Sequence, residues 1–270
     1  MGSQPERAEA SKVDLSDIGY TPMAQVSEPW SHDKVLETIP DDELGEISGS
    51  RSPLAFFHLL ERLKTTKREG WRRFGINRGE SIADHMYRMS IISMFAPPSL
   101  APRLDMGKCV KMCLVHDMAE LLVGDITPCD GVAKPEKSRR ETETMDFLTG
   151  KLVSAVPGGA ATAAELRAIW QEYEDSETID SQYVHDVDKM ELLLQMVEYE
   201  KRGRGTLDLG EFANVRRKMM LPEIIAWADE VLQERGRFWG AVEHVRGEHG
   251  IDGGVAAERS EQQEAYYQRD

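Results

Sequence analysis

His116 and Asp117 stand side by side inside an apolar run, with Cys113, Leu114 and Val115 before them and Met118, Ala119, Leu121 and Leu122 after. An imidazole and a carboxylate are costly to bury unless something compensates their charge. The chain must therefore fold around a polar site at this point, and a borderline or hard divalent cation is the compensator that His and Asp together suit. Glu120 and Asp125 lie near enough in sequence to handle water and protons beside such an ion.

On either side of this stretch the apolar residues recur at helical spacing. Leu54, Phe57, Leu60 and Leu63 follow a helix start at Ser52-Pro53, and Ile82, His85, Met86, Met89 and Ser93 share one face of a helix opened by Glu80-Ser81. Gly70 is expected to end the first of these, leaving Trp71 to Arg78 irregular. Further helices are expected from about Asp105 to Val123, Glu136 to Val156, Thr162 to Asp175 and Thr178 to Arg202, then over 211–219 and 222–246. With 13 Met, 5 Trp and few Val-Ile-Tyr alternations, the class is all-α: one helical bundle over 51–246. Residues 1–50 read as a disordered acidic extension and 247–270 as a flexible tail. Trp30 and Val35-Leu36 are apolar patches in the first extension that suit docking on the core or on a partner.

No stretch approaches the roughly 20 continuous apolar residues of a membrane span. The N-terminal segment has no apolar signal core, so the cytoplasm is the expected compartment, with the nucleus open. Cys109, Cys113 and Cys129 form no CxxC and read as incidental thiols. A net charge of −15 argues against nucleic acid polymers as partners. Local charge differs: Arg62 to Arg78 holds seven basic residues against Glu69 alone, and Lys134 to Arg140 adds four. Such patches suit an anionic small molecule, or are solvated helix faces.

His85, His116-Asp117 and Asp188 place inward polar groups on three helices in the order H…HD…D, spaced by 31 and then 71 residues. Four ligands of mixed N and O type leave an octahedral cation room for water and a substrate oxygen, which is the condition for metal-assisted hydrolysis. Independent burial of each residue, with its own hydrogen-bond partners, is the plainer alternative.

This ordered set resembles that of the HD-domain metal-dependent phosphohydrolases. The string His116-Asp-Met-Ala-Glu-Leu-Leu-Val-Gly-Asp-Ile-Thr-Pro128, with Glu80-Ser-Ile-Ala-Asp-His85 before it, is similar to their 5′-deoxynucleotidase group, over roughly residues 53–235. The resemblance implies an all-α fold, one divalent cation (Mn, Co, Mg, Cu or Zn), homodimers, and hydrolysis of deoxyribonucleoside 5′-monophosphates to deoxynucleoside and phosphate. It implies His85, His116, Asp117 and Asp188 as metal ligands, Glu120 and Asp125 as the catalytic pair beside the scissile phosphate, and Trp71 as the residue closing on the sugar. Arg72, Arg78, His85, Asp125, Glu172 and Tyr173 are further expected substrate contacts. Glu172 and Tyr173 come from Trp170-Gln-Glu-Tyr-Glu174, which resembles the family's second substrate-contacting stretch. Gly70 departs from the family pattern, in which bacterial members place a phosphate-orienting Arg just before the Trp; Arg68, Arg72, Arg73 or Arg78 is expected to substitute. Two other readings stay open: the same site acting on a phosphodiester or nucleoside triphosphate, and a non-catalytic scaffold, against which the presence of all six site residues speaks.

Overall fold

The computed structural model of the chain describes residues 19–44 and 51–242. The rest, including the expected tail over 247–270, lies outside the described residues. Two short helices come first, α1 (His32–Leu36) and α2 (Asp41–Leu44), then α3 (Leu54–Leu60), α4 (Arg62–Thr65) and α5 (Glu69–Arg72). Next are α6 (Ile82–Ser93), α7 (Met106–Val115), α8 (Glu120–Val123) and α9 (Lys134–Phe147), which runs on into a π-helical stretch, Leu148–Val153. The last three are α10 (Gly159–Asp175), α11 (Ile179–Arg202) and α12 (Pro222–Gly240), with a 3₁₀ segment, Gly210–Lys218, between α11 and α12. Apart from one isolated bridge between Lys67 and Ser81, there is no β-structure among the described residues.

The helices that carry the site start where their caps dictate. Ser81 accepts from the Asp84 amide while Asp84 accepts from the Ser81 amide, a capping box that opens α6. Asp105 caps α7 through the Lys108 amide, and a Thr178–Ser181 box opens α11. At 24 residues α11 is the axis of the bundle, with α6, α7, α10 and α12 packed on it. Its buried face carries Tyr183, Val184, Val187, Leu193 and Met196, so the few polar groups on that side are held in apolar surroundings.

Three sequence expectations fail here for local reasons. Gly70 does not end a helix: α4 stops at Thr66, whose backbone is extended, and Gly70 and Trp71 lie together inside α5. The expected helix from Asp105 to Val123 is broken after Val115. The amides of Met118 and Glu120 bond to carbonyls three residues back, Val115 and Asp117. Residues three apart eclipse in that tighter winding, which aligns Asp117 with Glu120. Third, 19–44 is not irregular. Trp30, Val35, Ile39 and Leu44 are buried in a core that also contains Leu121, Leu122, Phe147 and Leu148, so the docking suggested by Trp30 and Val35-Leu36 is the observed arrangement.

Residues 19–44 thus form a strap across α8 and α9. Gly124, at φ 80, lets the chain turn beneath it; a Cβ there would meet Met23 at 2.8 Å. Arg139 and Arg140 lie over the Trp30 ring at 6.0 and 5.6 Å. Truncating so large a buried ring costs about 3–5 kcal/mol. Trp30→Ala is therefore expected to lower the urea midpoint and expose the strap to protease nicking; an unchanged midpoint would mean that the strap contributes nothing to the core.

Candidate active site

A cavity of about 750 Å³ opens where α7 ends, and its wall draws on α5, the turn after α7, α9, α10, α11 and the 3₁₀ segment. His116 and Asp117 enter it from the tight turn, Asp188 from α11, and Glu120 and Asp125 from either end of α8. His85 sits beneath its floor on α6, fully buried.

Four of the sequence candidates cluster together. His85 Nε2 lies 3.1 Å from Asp188 Oδ1 and 3.9 Å from Asp117 Oδ2, and His116 Nε2 lies 3.2 Å from the same Asp117 oxygen. Donor atoms of His85, His116 and Asp188 all lie within 4.8 Å of one another. The outer nitrogens fix the tautomers. His116 Nδ1 is 3.0 Å from the Cys113 carbonyl, to which it donates, and His85 Nδ1 is 2.6 Å from Glu191 Oε2. Each inner nitrogen faces the common point, as in metal sites whose histidines are oriented by a carboxylate or carbonyl behind them. Glu191 is held in turn by Arg88, which also reaches Glu198.

The electrostatics at this point call for a cation. Burial and Arg68 disfavour a charged His85, yet Glu191 and Asp188 overcome both and push its imidazole up to about 10. Burial opposes ionisation of Asp117 and Asp188 too, but His116, His85 and Arg68 hold both carboxyls well below the usual range. His85 Nε2 is also a buried polar atom with no hydrogen-bond partner. Two inward-facing imidazole nitrogens, one of them orphaned, and two ionised carboxylates fit a divalent cation.

Across the cavity the carboxylates differ. Burial, Asp117 and Asp125 push Glu120 well above the usual range, and its Oε2 is buried without a partner. Asp125 Oδ2 accepts the Glu69 amide at 2.5 Å. Lys137 Nζ lies 3.6 Å from Glu120 Oε1 and 3.4 Å from Glu141 Oε1. Arg68, 3.4 Å from Asp117, keeps its charge despite burial because Asp125 and Asp117 lie beside it.

Trp71 and Tyr173 line the cavity as expected. The Trp71 ring is wedged between Phe212 at 4.5 Å and Tyr199 at 5.4 Å, and its Nε1 donates to Glu80 at 2.7 Å. Four expected substrate contacts are absent from the wall, the buried His85 among them. Arg72 turns away from Trp71 to pair with Glu69 and cover the Tyr20 ring, Arg78 is exposed on a turn, and Glu172 is bonded to Lys108 and Thr178. Consecutive helical residues point about 100° apart, so Trp71 and Tyr173 facing inward send Arg72 and Glu172 elsewhere. Arg68 and Arg73 line the cavity instead. A Cβ at Gly70 would touch the Phe212 ring at 3.4 Å, so the direction a side chain would take there is already filled.

Lys137, Glu141, Glu174, His185 and Glu191 were not singled out by motif. The basic run at Lys134 to Arg140 and the inward Glu191 on α11 were the available signals, and neither identifies a particular contact without the helix faces.

The class of protein follows from this fold and site: the chain belongs to the HD domain family, whose model matches residues 60–225. It is 42% identical to the 5′-deoxynucleotidase hdd1 of Schizosaccharomyces pombe over 193 residues, 72% of this chain and 95% of that protein. It is 38% identical to human 5′-deoxynucleotidase HDDC2 over 188 residues, 69% of this chain and 88% of that protein. Among solved structures, the HD domain-containing protein YGK1 superposes with a TM-score of 0.57 at 28% identity, covering 78% of this chain and all of that one. No helix among the described residues is long and apolar enough to cross a membrane.

Proposed function

We propose that this chain is a metal-dependent 5′-deoxynucleotidase, hydrolysing deoxyribonucleoside 5′-monophosphates to deoxynucleoside and phosphate. The observation that carries this reading is the clustering of His85 Nε2, His116 Nε2 and carboxylate oxygens of Asp117 and Asp188, with Glu120 and Asp125 beside them at the same cavity. Those four residues would hold one divalent cation. When bound, it supplies Lewis acidity to a phosphoryl oxygen and to water.

The remaining groups divide the proton work. Asp125 accepts a proton from the attacking water while the new P–O bond forms. Glu120, whose carboxyl burial, Asp117 and Asp125 push well above the usual range, gives its proton to the 5′ oxygen as the old P–O bond breaks. Phosphoryl transfer needs positioning and charge neutralisation more than a covalent nucleophile, and Arg68 is a cation at the phosphate end. The Trp71 indole donor is already used by Glu80, so a ribose 2′-hydroxyl against that ring gains no partner. At roughly 1–3 kcal/mol for an unsatisfied polar group, the deoxy sugar is preferred by about 5- to 150-fold in kcat/KM.

Phosphate release from a panel of deoxy and ribo 5′-monophosphates tests the reading, and activity confined to phosphodiesters would overturn it. In the same panel Trp71→Leu is expected to bring the deoxy-to-ribo ratio towards one; an unchanged ratio would remove Trp71 from sugar selection. The homodimer expected from the family has a suitable surface in Tyr87, Ile91, Met94 and Phe95, which stand exposed along one side of α6 and the residues after it.

A further inference from the structure

Helix α9 divides its side chains between two neighbours. Arg139 Nη2 donates to the Trp30 carbonyl at 2.9 Å, Arg140 Nη2 donates to Glu28 Oε1 at 2.9 Å, and Glu143 Oε1 accepts from the His32 amide at 3.1 Å. These residues face the strap. Lys134, Lys137, Ser138 and Glu141, at the i, i+3, i+4, i+7 spacing of the opposite face, line the cavity. The strap therefore fixes the rotation of α9 about its own axis, and with it the position of Lys137 beside Glu120.

A phosphate dianion entering a cavity walled by Asp117, Glu120, Asp125, Glu141 and Asp188 needs positive charge beyond a single metal ion. Two of the cations that line the cavity are tightly engaged. Arg73 is held by Asp130 at 2.5 Å and Lys189 donates to the His185 carbonyl at 2.8 Å, whereas Arg68 lies 3.4 Å from Asp117. Lys137, like Arg68, is more loosely paired: its two carboxylate neighbours, Glu120 at 3.6 Å and Glu141 at 3.4 Å, are farther than the roughly 2.7–2.9 Å of a charge-assisted hydrogen bond. Three donors on a flexible stem, directed into the cavity beside Glu120 and not tightly held, are suited to a phosphate oxygen.

We propose that Lys137 is a substrate-binding residue whose ammonium contacts the phosphate of the bound nucleotide and of the phosphate product, placed there by the strap-bound face of α9. This rests on the nucleotidase reading. A charge-assisted hydrogen bond of about 1.5–3 kcal/mol corresponds to about 10- to 150-fold in affinity. The test is inorganic phosphate binding to the full chain loaded with metal, by calorimetry, alongside KM for a deoxynucleoside monophosphate. Lys137→Met is expected to weaken phosphate binding and raise KM by that factor while metal content and melting temperature hold. Lys137→Arg is expected to restore most of both. Phosphate binding unchanged in Lys137→Met, or weakened only in proportion to lost metal or lost fold, overturns the assignment; if Lys137→Met does not fold, equal loss in Lys137→Arg with its fold intact does the same. A wild-type chain that binds phosphate but releases none from any monophosphate contradicts the nucleotidase reading alone.

Discussion

Asp117→Asn is expected to lose the divalent ion and, with it, about 10³-fold or more in phosphate release. The substitution is nearly isosteric, so the turn after α7 keeps its shape, but the carboxylate lying 3.2 Å from His116 Nε2 and 3.9 Å from His85 Nε2 becomes neutral. A cation that stabilises developing charge by about 4 kcal/mol accounts for a loss of that size. His116→Ala removes a nitrogen donor from the same point and is expected to behave alike. Metal analysis of both variants beside their rates checks the cause: full activity without the ion, or full metal content with lost activity, would each break the link drawn between them.

Glu120→Gln is expected to cost about 10²- to 10⁴-fold on deoxynucleoside monophosphates, the range for a positioned acid or base. Its metal content should hold, because Glu120 is assigned to the proton and not to the ion. The site separates its role from that of Asp125. Burial, Asp117 and Asp125 push the Glu120 carboxyl well above the usual range, whereas Asp125 is oriented by the Glu69 amide. A leaving 5′ oxygen needs that proton and p-nitrophenolate does not. The Glu120→Gln defect should therefore shrink on p-nitrophenyl phosphate, whereas an Asp125→Asn defect should persist. Equal losses on both substrates in Glu120→Gln would assign Glu120 to the water instead.

The proposed ligand set was legible because it breaks a pattern. His85, His116-Asp117 and Asp188 stand where helical spacing calls for apolar side chains, and the fold brings these four together. Capping residues such as Ser81, Asp105 and Thr178 likewise fixed the starts of the helices that carry them. The break at residues 116–119 left no such trace. It contains neither Gly nor Pro, and the helix-forming Met118, Ala119 and Glu120 are bent by tertiary demand that propensity does not register. The strap was hidden for a related reason: Trp30, Val35, Ile39 and Leu44 are too sparse for a periodic face and gain order by docking on a core formed elsewhere. Choosing among the many Arg and Lys residues also required the folded helices. Arg68 and Lys137 differ from Arg72 and Arg140 only in which way a helical turn points them.

The central claim is that one divalent ion, held by two histidines and two aspartates, makes this chain a deoxynucleoside 5′-monophosphatase. Its most direct test is to strip the protein with chelator and titrate Mn, Co or Mg back while following phosphate release from a deoxynucleoside 5′-monophosphate. The account predicts no release from the stripped chain and release rising to a plateau at one ion per chain, with Asp117→Asn flat throughout. Undiminished release from the stripped protein, or a reloaded protein that leaves every monophosphate intact, would contradict it.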